Sequence, residues 1–303
     1  MLVGVATADS ATHRPDSMHP RHSPRSARLA FAILAFAILP IALQVSCVPR
    51  QSAPAEAAPD PVPAHDTFTV VSRSIGEARL INVYTPRAYS GTATRFPVLY
   101  MPDGGIAEDF PHVVNTVDSL IALGAIRPVI VVGIPNTERR RDLTGPTRVA
   151  SDSAIAPHVG GSAAFRRFIR DELIPTVNSR YRTSDERSIV GESLAGLFIV
   201  ETFLTEPAMF KHYIALDPSL WWNHSALLDS ATARLATFDG TPRTLFIANS
   251  DEPVIAAGTA RFVELLRKSS PQGLTWDYVA RPDLTHATIF RGIGPTALAK
   301  ALH

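Results

Sequence analysis

The sequence has only one cysteine in 303 residues, Cys47, so the chain cannot form an internal disulfide. It also lacks an excess of positive charge, because 29 lysines and arginines stand against 28 aspartates and glutamates. A nearly neutral chain gives no sequence-wide positive field for a phosphate backbone, which argues against nucleic acid as a partner. Hydrophobic residues, in contrast, make up 46% of the chain, enough to form one large core without metal ions or cross-links.

The first 49 residues differ in composition from the rest. Three arginines precede an apolar run at residues 29–48: Arg21, Arg25 and Arg28. A basic segment followed by an apolar one is typical of an export signal, and Met18 is an alternative start that would give a leader of ordinary length. A run of about 20 apolar residues is also long enough to remain as a membrane anchor.

The end of this segment leaves its fate open. Residues 43–47 are loosely similar to a bacterial lipoprotein cleavage site that ends at Cys47, and residues 50–66 are rich in alanine and proline, as an extended linker is. We therefore expect the protein to be exported across the cytoplasmic membrane. The sequence does not distinguish a cleaved, a lipidated and an anchored form.

From residue 67 onward, β-rich apolar runs alternate with segments of helical periodicity. This alternation predicts an α/β domain over residues 67–303, with a mostly parallel sheet of about eight strands that helices cover on both faces. The first two predicted strands form an antiparallel hairpin. The predicted strands are residues 67–73, 78–84, 97–101, 128–133, 188–190, 213–216, 244–248 and 275–280, and the clearest predicted helices are 163–181 and 260–268.

A strand, a sharp turn and a helix succeed one another around Ser193. The turn reads Gly191-Glu192-Ser193-Leu194-Ala195, with small residues two before and two after the serine. This pattern is typical of the nucleophile elbow of α/β-hydrolases, in which the serine lies exposed at a strained turn. The N–H of Leu194 is then one expected oxyanion donor, and Gly105, in a glycine-rich loop after an early strand, is the expected second. An ordinary turn is the alternative interpretation of the Gly105 loop.

A nucleophilic serine needs a histidine as general base and an acid that orients it, in the chain order serine, acid, histidine. His286 lies in a loop after the last predicted strand and before the final helix, where the base is expected. Asp251, after the strand at residues 244–248, is the preferred acid, and its neighbour Glu252 is the second choice. Asp217, at the end of the preceding strand, is a third candidate.

With these residues located, the chain resembles the putative-esterase family of α/β-hydrolases, which includes esterase D, feruloyl esterases, mycolyltransferases and enterobactin (siderophore) esterases. The resemblance covers about residues 96–286 and is most specific to the siderophore-esterase branch at residues 131–137 and 141–144. It also includes residues 191–198 and 217–222. Three positions depart from the family pattern: Ala195 replaces glycine, Glu192 stands where histidine is common, and Asp217 stands where serine is frequent.

The resemblance implies a serine esterase that works through an acyl-enzyme on Ser193, with a small ester, such as a siderophore, as substrate. It implies no metal ion and no cofactor. An acyltransferase of the same family and a non-catalytic binding module on the same fold are the alternatives.

Four residues are candidates for contact with the substrate. Trp221 and Trp222 offer a flat apolar wall, or else belong to the core. Asn136 lies in a segment similar to the siderophore-esterase branch. Arg141 offers a positive charge to an anionic substrate, or else forms a local ion pair with Asp142.

Overall fold

A computed structural model of the chain describes residues 59–269 and 271–303. The predicted export segment at residues 1–49 and Cys47 lie outside these ranges, so the expectation of export stays a prediction. None of the helices in the described ranges combines the length and the apolar character that a bilayer crossing requires.

The described residues form one eight-stranded sheet with the order β1-β2-β4-β3-β5-β6-β7-β8. The strands are β1 (Asp66–Val71), β2 (Ala78–Tyr84), β3 (Phe96–Pro102), β4 (Ile130–Ile134), β5 (Thr183–Glu192), β6 (His212–Leu216), β7 (Arg243–Asn249) and β8 (Leu274–Ala280). As predicted, β1 and β2 form an antiparallel hairpin. Strand β2 is also antiparallel to β4, and the other neighbours are parallel. The mostly parallel sheet confirms the predicted fold class.

Helices cover both faces of the sheet because successive strand residues point to opposite faces. On β3, Val98 and Tyr100 belong to one hydrophobic core, and Leu99 and Met101 belong to the other. Helices α1 and α10 cover the second core, while the first lies under α4 to α6, α8 and α9. The helices are α1 (Phe110–Ala122), α2 (Arg139–Leu143), α3 (Ala150–Ser153), α4 (Ser162–Arg167), α5 (Ile174–Arg180), α6 (Leu194–Thr205), α7 (Trp222–Asp229), α8 (Ala231–Leu235), α9 (Pro253–Ser269) and α10 (Ile289–Leu302).

The helix predicted at residues 163–181 is present, but it is not a single α-helix. A π-helical stretch, Phe168–Leu173, separates α4 from α5. The helix predicted at residues 260–268 is the second half of α9.

The folded domain begins earlier than the predicted boundary at residue 67. Asp60 forms an ion pair with Arg291 of α10, and the Asn115 amide of α1 donates a hydrogen bond of 2.9 Å to the Pro61 carbonyl. Asp66 is already part of β1. The last residues of the predicted linker at 50–66 therefore lie against the domain, because their polar groups find partners on α1 and α10.

The strand order creates a crevice at the centre of the sheet. The chain passes from β3 to β4 on one side and then returns to add β5 on the other side of β3. At such a switch point, the loops after the two strands diverge and leave a binding site beyond their carboxyl ends. Residue Ser193 follows directly after β5, at this crevice.

Candidate active site

Ser193 occupies the turn between β5 and α6. Its backbone angles are φ 62° and ψ −120°, an uncommon conformation for a residue with a side chain. The turn is held because the Ser193 N–H donates to the Leu216 carbonyl at 3.0 Å. A side chain at Gly191 would place its Cβ 2.6 Å from that of Ala195, so residue 191 must be glycine for the strand and helix to approach. This geometry is that of a nucleophile elbow.

His286 lies in the loop between β8 and α10, and it bridges two side chains from other strand ends. Its Nε2 is 3.1 Å from the Ser193 Oγ. Its Nδ1 is 2.6 Å from the Asp217 Oδ2. The structure thus brings together the predicted serine and histidine, which are 93 residues apart in the chain.

Asp217 follows β6, and its side chain is fully buried. Its carboxylate accepts the Ser250 N–H at 2.6 Å on Oδ1 and the Ser250 hydroxyl at 2.6 Å on Oδ2. An ionised carboxylate can only accept hydrogen bonds, so the His286 proton is on Nδ1 and Nε2 is free to accept the Ser193 hydroxyl. The Ser250 N–H, the Ser250 hydroxyl and His286 thus give both oxygens of this buried carboxylate a hydrogen-bond partner.

The two ionisable partners shift each other's pKa in opposite directions. Burial opposes ionisation of Asp217, but the hydrogen bonds from His286 and Ser250 outweigh it and hold the pKa of Asp217 below its ordinary value. The hydrogen bond to Asp217 raises the pKa of His286 above its ordinary value, although burial acts against this. The pair therefore favours an ionised Asp217 beside an imidazole that gains basicity.

The prediction that Asp251 contacts His286 is wrong. Asp251 and the second choice, Glu252, are both exposed, and neither forms a hydrogen bond with His286. The Asp251 N–H instead donates to the Leu284 carbonyl at 2.9 Å, which connects the loop after β7 to the loop that carries His286. Ser250, which directly follows β7, donates two hydrogen bonds to Asp217.

Asp217 was only the third candidate, although the sequence does mark its position. It directly follows an apolar strand, precedes Pro218, and stands where the resembling family frequently has serine. In the structure it has a φ of 47°, which few residues with a side chain adopt. A carboxylate at a strand end, where the family pattern has serine, is the sequence feature that indicates the acid.

The two predicted oxyanion donors differ in their surroundings. Leu194 is the first residue of α6, and the first N–H groups of a helix have no partner within it, so its N–H is available beside Ser193. The N–H of Gly105, in contrast, already donates to the Glu108 Oε2 at 2.7 Å. The structure therefore does not support Gly105 as the second donor, because its own loop supplies an acceptor.

Two residues predicted to contact the substrate, Asn136 and Arg141, bind side chains of the protein. The Asn136 amide donates to Asp103 at 2.5 Å and to Glu108 at 2.8 Å, so it joins two carboxylates within the protein. The Arg141 guanidinium binds Glu77 at 2.8 Å, Glu138 at 3.0 Å and Asp142 at 2.7 Å. The ion-pair interpretation of Arg141 is therefore the correct one.

The two tryptophans divide between the two interpretations. Trp222 is 4% exposed and donates its indole N–H to the Gly145 carbonyl at 2.8 Å, so it belongs to the core. Trp221 is only partly buried. It lies two residues after Ser219, whose N–H donates to the Ser193 carbonyl at 3.1 Å. A contact between Trp221 and the substrate stays a prediction.

One group of side chains at the site has the composition of a metal centre. Ligand atoms of Glu192, Asp217 and His286 lie within 4.8 Å of one another. The Nδ1 of His286 and the carboxylate of Asp217 are, however, joined by a hydrogen bond of 2.6 Å. The arrangement is therefore that of a proton relay, in which a proton already lies between the two ligand atoms.

Comparison with known proteins agrees with this geometry. Residues 72–245 match the family model described as Putative esterase. The chain is 26% identical over 235 residues to the ferri-bacillibactin esterase BesA of Bacillus subtilis, and the match covers 69% of this chain and 79% of that relative. It is 30% identical over 195 residues to the siderophore triacetylfusarinine C esterase of Aspergillus fumigatus, with coverages of 59% and 64%.

Solved structures show the same relationship. The crystal structure of an IroE-like serine hydrolase from Shewanella oneidensis superimposes with a TM-score of 0.71 at 28% identity, and the match covers 79% of each chain. The family match extends from the β1–β2 hairpin to β7 and includes Ser193 and Asp217. The chain therefore belongs to the putative esterase family and is a hydrolase of the α/β-hydrolase fold that acts on ester bonds.

Proposed function

We propose that this protein is a serine esterase that cleaves carboxylic esters of a siderophore through an acyl-enzyme on Ser193, with His286 as general base and Asp217 as the acid. The observation that carries the proposal is the continuous hydrogen-bonded relay. It joins Ser193 Oγ to His286 Nε2 at 3.1 Å, and His286 Nδ1 to Asp217 at 2.6 Å.

In the first half of the reaction, His286 accepts the Ser193 proton while the Oγ attacks the ester carbonyl. The negative charge of Asp217 stabilises the imidazolium that forms, and the N–H of Leu194 at the helix terminus stabilises the oxyanion. The His286 proton then passes to the leaving alcohol. Because the His286 side chain is 41% exposed, water can reach it and be activated to hydrolyse the acyl-enzyme.

The siderophore class is supported by the relatives. Two of them are named as esterases of ferri-bacillibactin and of triacetylfusarinine C, and a third match is the siderophore enterobactin esterase of Emericella nidulans, 33% identical over 118 residues. A substrate panel of these siderophore esters, a feruloyl ester and p-nitrophenyl butyrate separates a siderophore esterase from a general one. The highest kcat/KM on a siderophore ester is the result that we expect.

Covalent labelling tests the assignment of the nucleophile. A fluorophosphonate should add once to the protein, on Ser193, because only a serine that a general base activates attacks this reagent rapidly. Intact-mass and peptide mass spectrometry would locate the adduct. The matched control is Ser219→Ala, since the Ser219 hydroxyl lies only 3.5 Å from the Ser193 Oγ. This variant should still be labelled at Ser193.

Two results would contradict the proposal. One is an unlabelled wild-type protein, which would indicate a binding module that keeps the fold. The other is an adduct on Ser219 in place of Ser193.

Ser250 is expected to contribute to the rate without contact with the substrate. Its hydroxyl donates to the same Asp217 oxygen that binds His286, and its side chain is almost fully buried. A hydrogen bond to a charged group contributes about 1.5–3 kcal/mol to stability. Because this bond is already present in the resting site, only the part that strengthens in the transition state affects the barrier, and Ser250→Ala should lower kcat/KM by up to roughly tenfold. Steady-state kinetics on p-nitrophenyl butyrate would measure this. An unchanged rate would mean that the Ser250 N–H alone holds the carboxylate.

A further inference from the structure

A second carboxyl group lies beside His286. Glu192 is the last residue of β5 and directly precedes Ser193. Its side chain is only 17% exposed, and its Oε1 is 3.8 Å from the His286 Nδ1. Among the described residues its carboxyl makes no hydrogen bond, and this contact with the imidazole is its one close polar contact.

The groups around Glu192 are mostly acidic. Its neighbours are His286 on the loop after β8, Asp217 at the end of β6, Asp109 beside the start of α1 and Asp103 after β3. His286 itself is also within the field of Glu252, at the start of α9. Burial, followed by repulsion from the carboxylates, raises the pKa of Glu192 to about 8, although His286 acts in the opposite direction. Glu192 is therefore mostly neutral at pH 7 and becomes ionised in mildly alkaline solution.

The position of Glu192 determines which reacting charge it affects. Its carboxyl is on the Nδ1 side of the imidazole, whereas Ser193 is bonded to Nε2, on the opposite side of the ring. An ionised Glu192 is thus beside the imidazolium that develops during the reaction. Opposite charges at this separation attract, and a partly buried site is screened less than the surface.

We propose that Glu192 is a positioning residue for His286, whose ionised carboxylate adds a second negative charge beside Nδ1 and increases the strength of the general base. This inference rests on the proposed function of His286. No bond to the substrate is involved, since Glu192 acts through the imidazole alone.

The pH dependence of kcat/KM on a neutral ester, p-nitrophenyl butyrate, tests the inference. In the wild-type enzyme, the rate should rise as His286 loses its proton and rise again, by roughly threefold to tenfold, as Glu192 ionises near pH 8. Glu192→Gln should lack this second rise and reach its plateau at lower pH. Glu252→Gln is the matched control, because it removes an exposed charge that also acts on His286 but is screened by water, and it should keep the second rise.

A second pair of variants tests the inference without the comparison of wild type and Glu192→Gln at alkaline pH. In Asp217→Asn, the residual activity should show a second increase at alkaline pH, beyond the limb on which His286 loses its proton, because ionised Glu192 is then the nearest carboxylate to Nδ1. Adding Glu192→Gln should remove this second increase and keep the His286 limb. A circular-dichroism spectrum and a melting temperature would verify that each variant is folded.

The outcomes separate the two proposals. A wild-type enzyme that hydrolyses no ester overturns the proposed function. An active wild type whose pH profile coincides with that of Glu192→Gln overturns the role of Glu192 and leaves the proposed function in place. If Glu192→Gln does not fold, a second, alkaline increase beyond the His286 limb in Asp217→Asn supports the inference, and a profile with the His286 limb alone refutes it.

Discussion

The Ser193→Ala variant is expected to lose ester hydrolysis by a factor of about 10⁴ or more in kcat/KM. The physical reason is that the acyl-enzyme has no oxygen on which to form. What remains is the binding of the ester and the N–H of Leu194, which lower the barrier for direct attack by water only in part. Steady-state hydrolysis of p-nitrophenyl butyrate measures the ratio, with the variant at a higher enzyme concentration that is still well below that of the ester.

If the melting temperature of Ser193→Ala is close to that of the wild type, unfolding cannot account for the loss of ester hydrolysis. Within residues 59–269 and 271–303, the Ser193 Oγ makes only two polar contacts, with His286 at 3.1 Å and with Ser219 at 3.5 Å, so little stability depends on it. We expect a melting temperature within a few degrees of the wild type. Turnover retained by a folded, uncontaminated Ser193→Ala preparation would refute the acyl-enzyme mechanism.

The second large effect is expected for Asp217→Asn, which should lower kcat by about 10³- to 10⁴-fold. An asparagine presents an amide N–H₂ group where the carboxylate accepted the Nδ1 proton, so His286 adopts the tautomer that cannot take the Ser193 proton. Because the hydrogen bond to Asp217 raises the pKa of His286, the acidic limb of the remaining activity should also move to lower pH.

Asp251→Asn is the matched control for this experiment. It makes the same chemical change, but on an exposed side chain one strand away, and we expect it to leave kcat within twofold of the wild type. If Asp251→Asn carried the large loss and Asp217→Asn did not, the relay in the structure would be the wrong one. The melting temperature of Asp217→Asn should be measured as well, since its amide cannot satisfy both donors of Ser250.

The sequence predicted the fold class and two of the three relay residues because these depend on local patterns. The elbow around Ser193 needs a strand, small residues and a helix within a short stretch of chain, and all of these can be recognised in the sequence. His286 could be placed because it follows the last strand. Both features are independent of how distant segments pack.

The acid could not be predicted in the same way. Asp217 and Asp251 both satisfy the chain order serine, acid, histidine, and both follow a strand. The choice between them depends on which strand end directs its side chain towards His286, and this follows from the loop conformations. Asp217, with a φ of 47°, places its carboxylate between Ser250 and the imidazole.

Gly105, Asn136 and Arg141 were candidates for contact with a ligand, and for Arg141 an ion pair with Asp142 was the alternative. In the structure, each of the three binds a carboxylate of the protein. For Arg141 the partner Glu77 is 64 residues away, in the turn between β1 and β2, and no periodicity or motif connects the two positions. Partners so distant in the chain become visible only when the strands are assembled.

Three residues at the carboxyl ends of β3, β5 and β6 share a left-handed backbone: Asp103, Ser193 and Asp217, with φ values of 55°, 62° and 47°. Such conformations cost about 1–3 kcal/mol each, and glycine would adopt them with little strain. A directed-evolution campaign that selected only for heat resistance would accordingly favour glycine at residue 193, but not at residues 103 and 217, whose buried carboxylates bind neighbouring side chains. Its most robust products would be inert proteins, so thermal and activity screens must be run together on this scaffold.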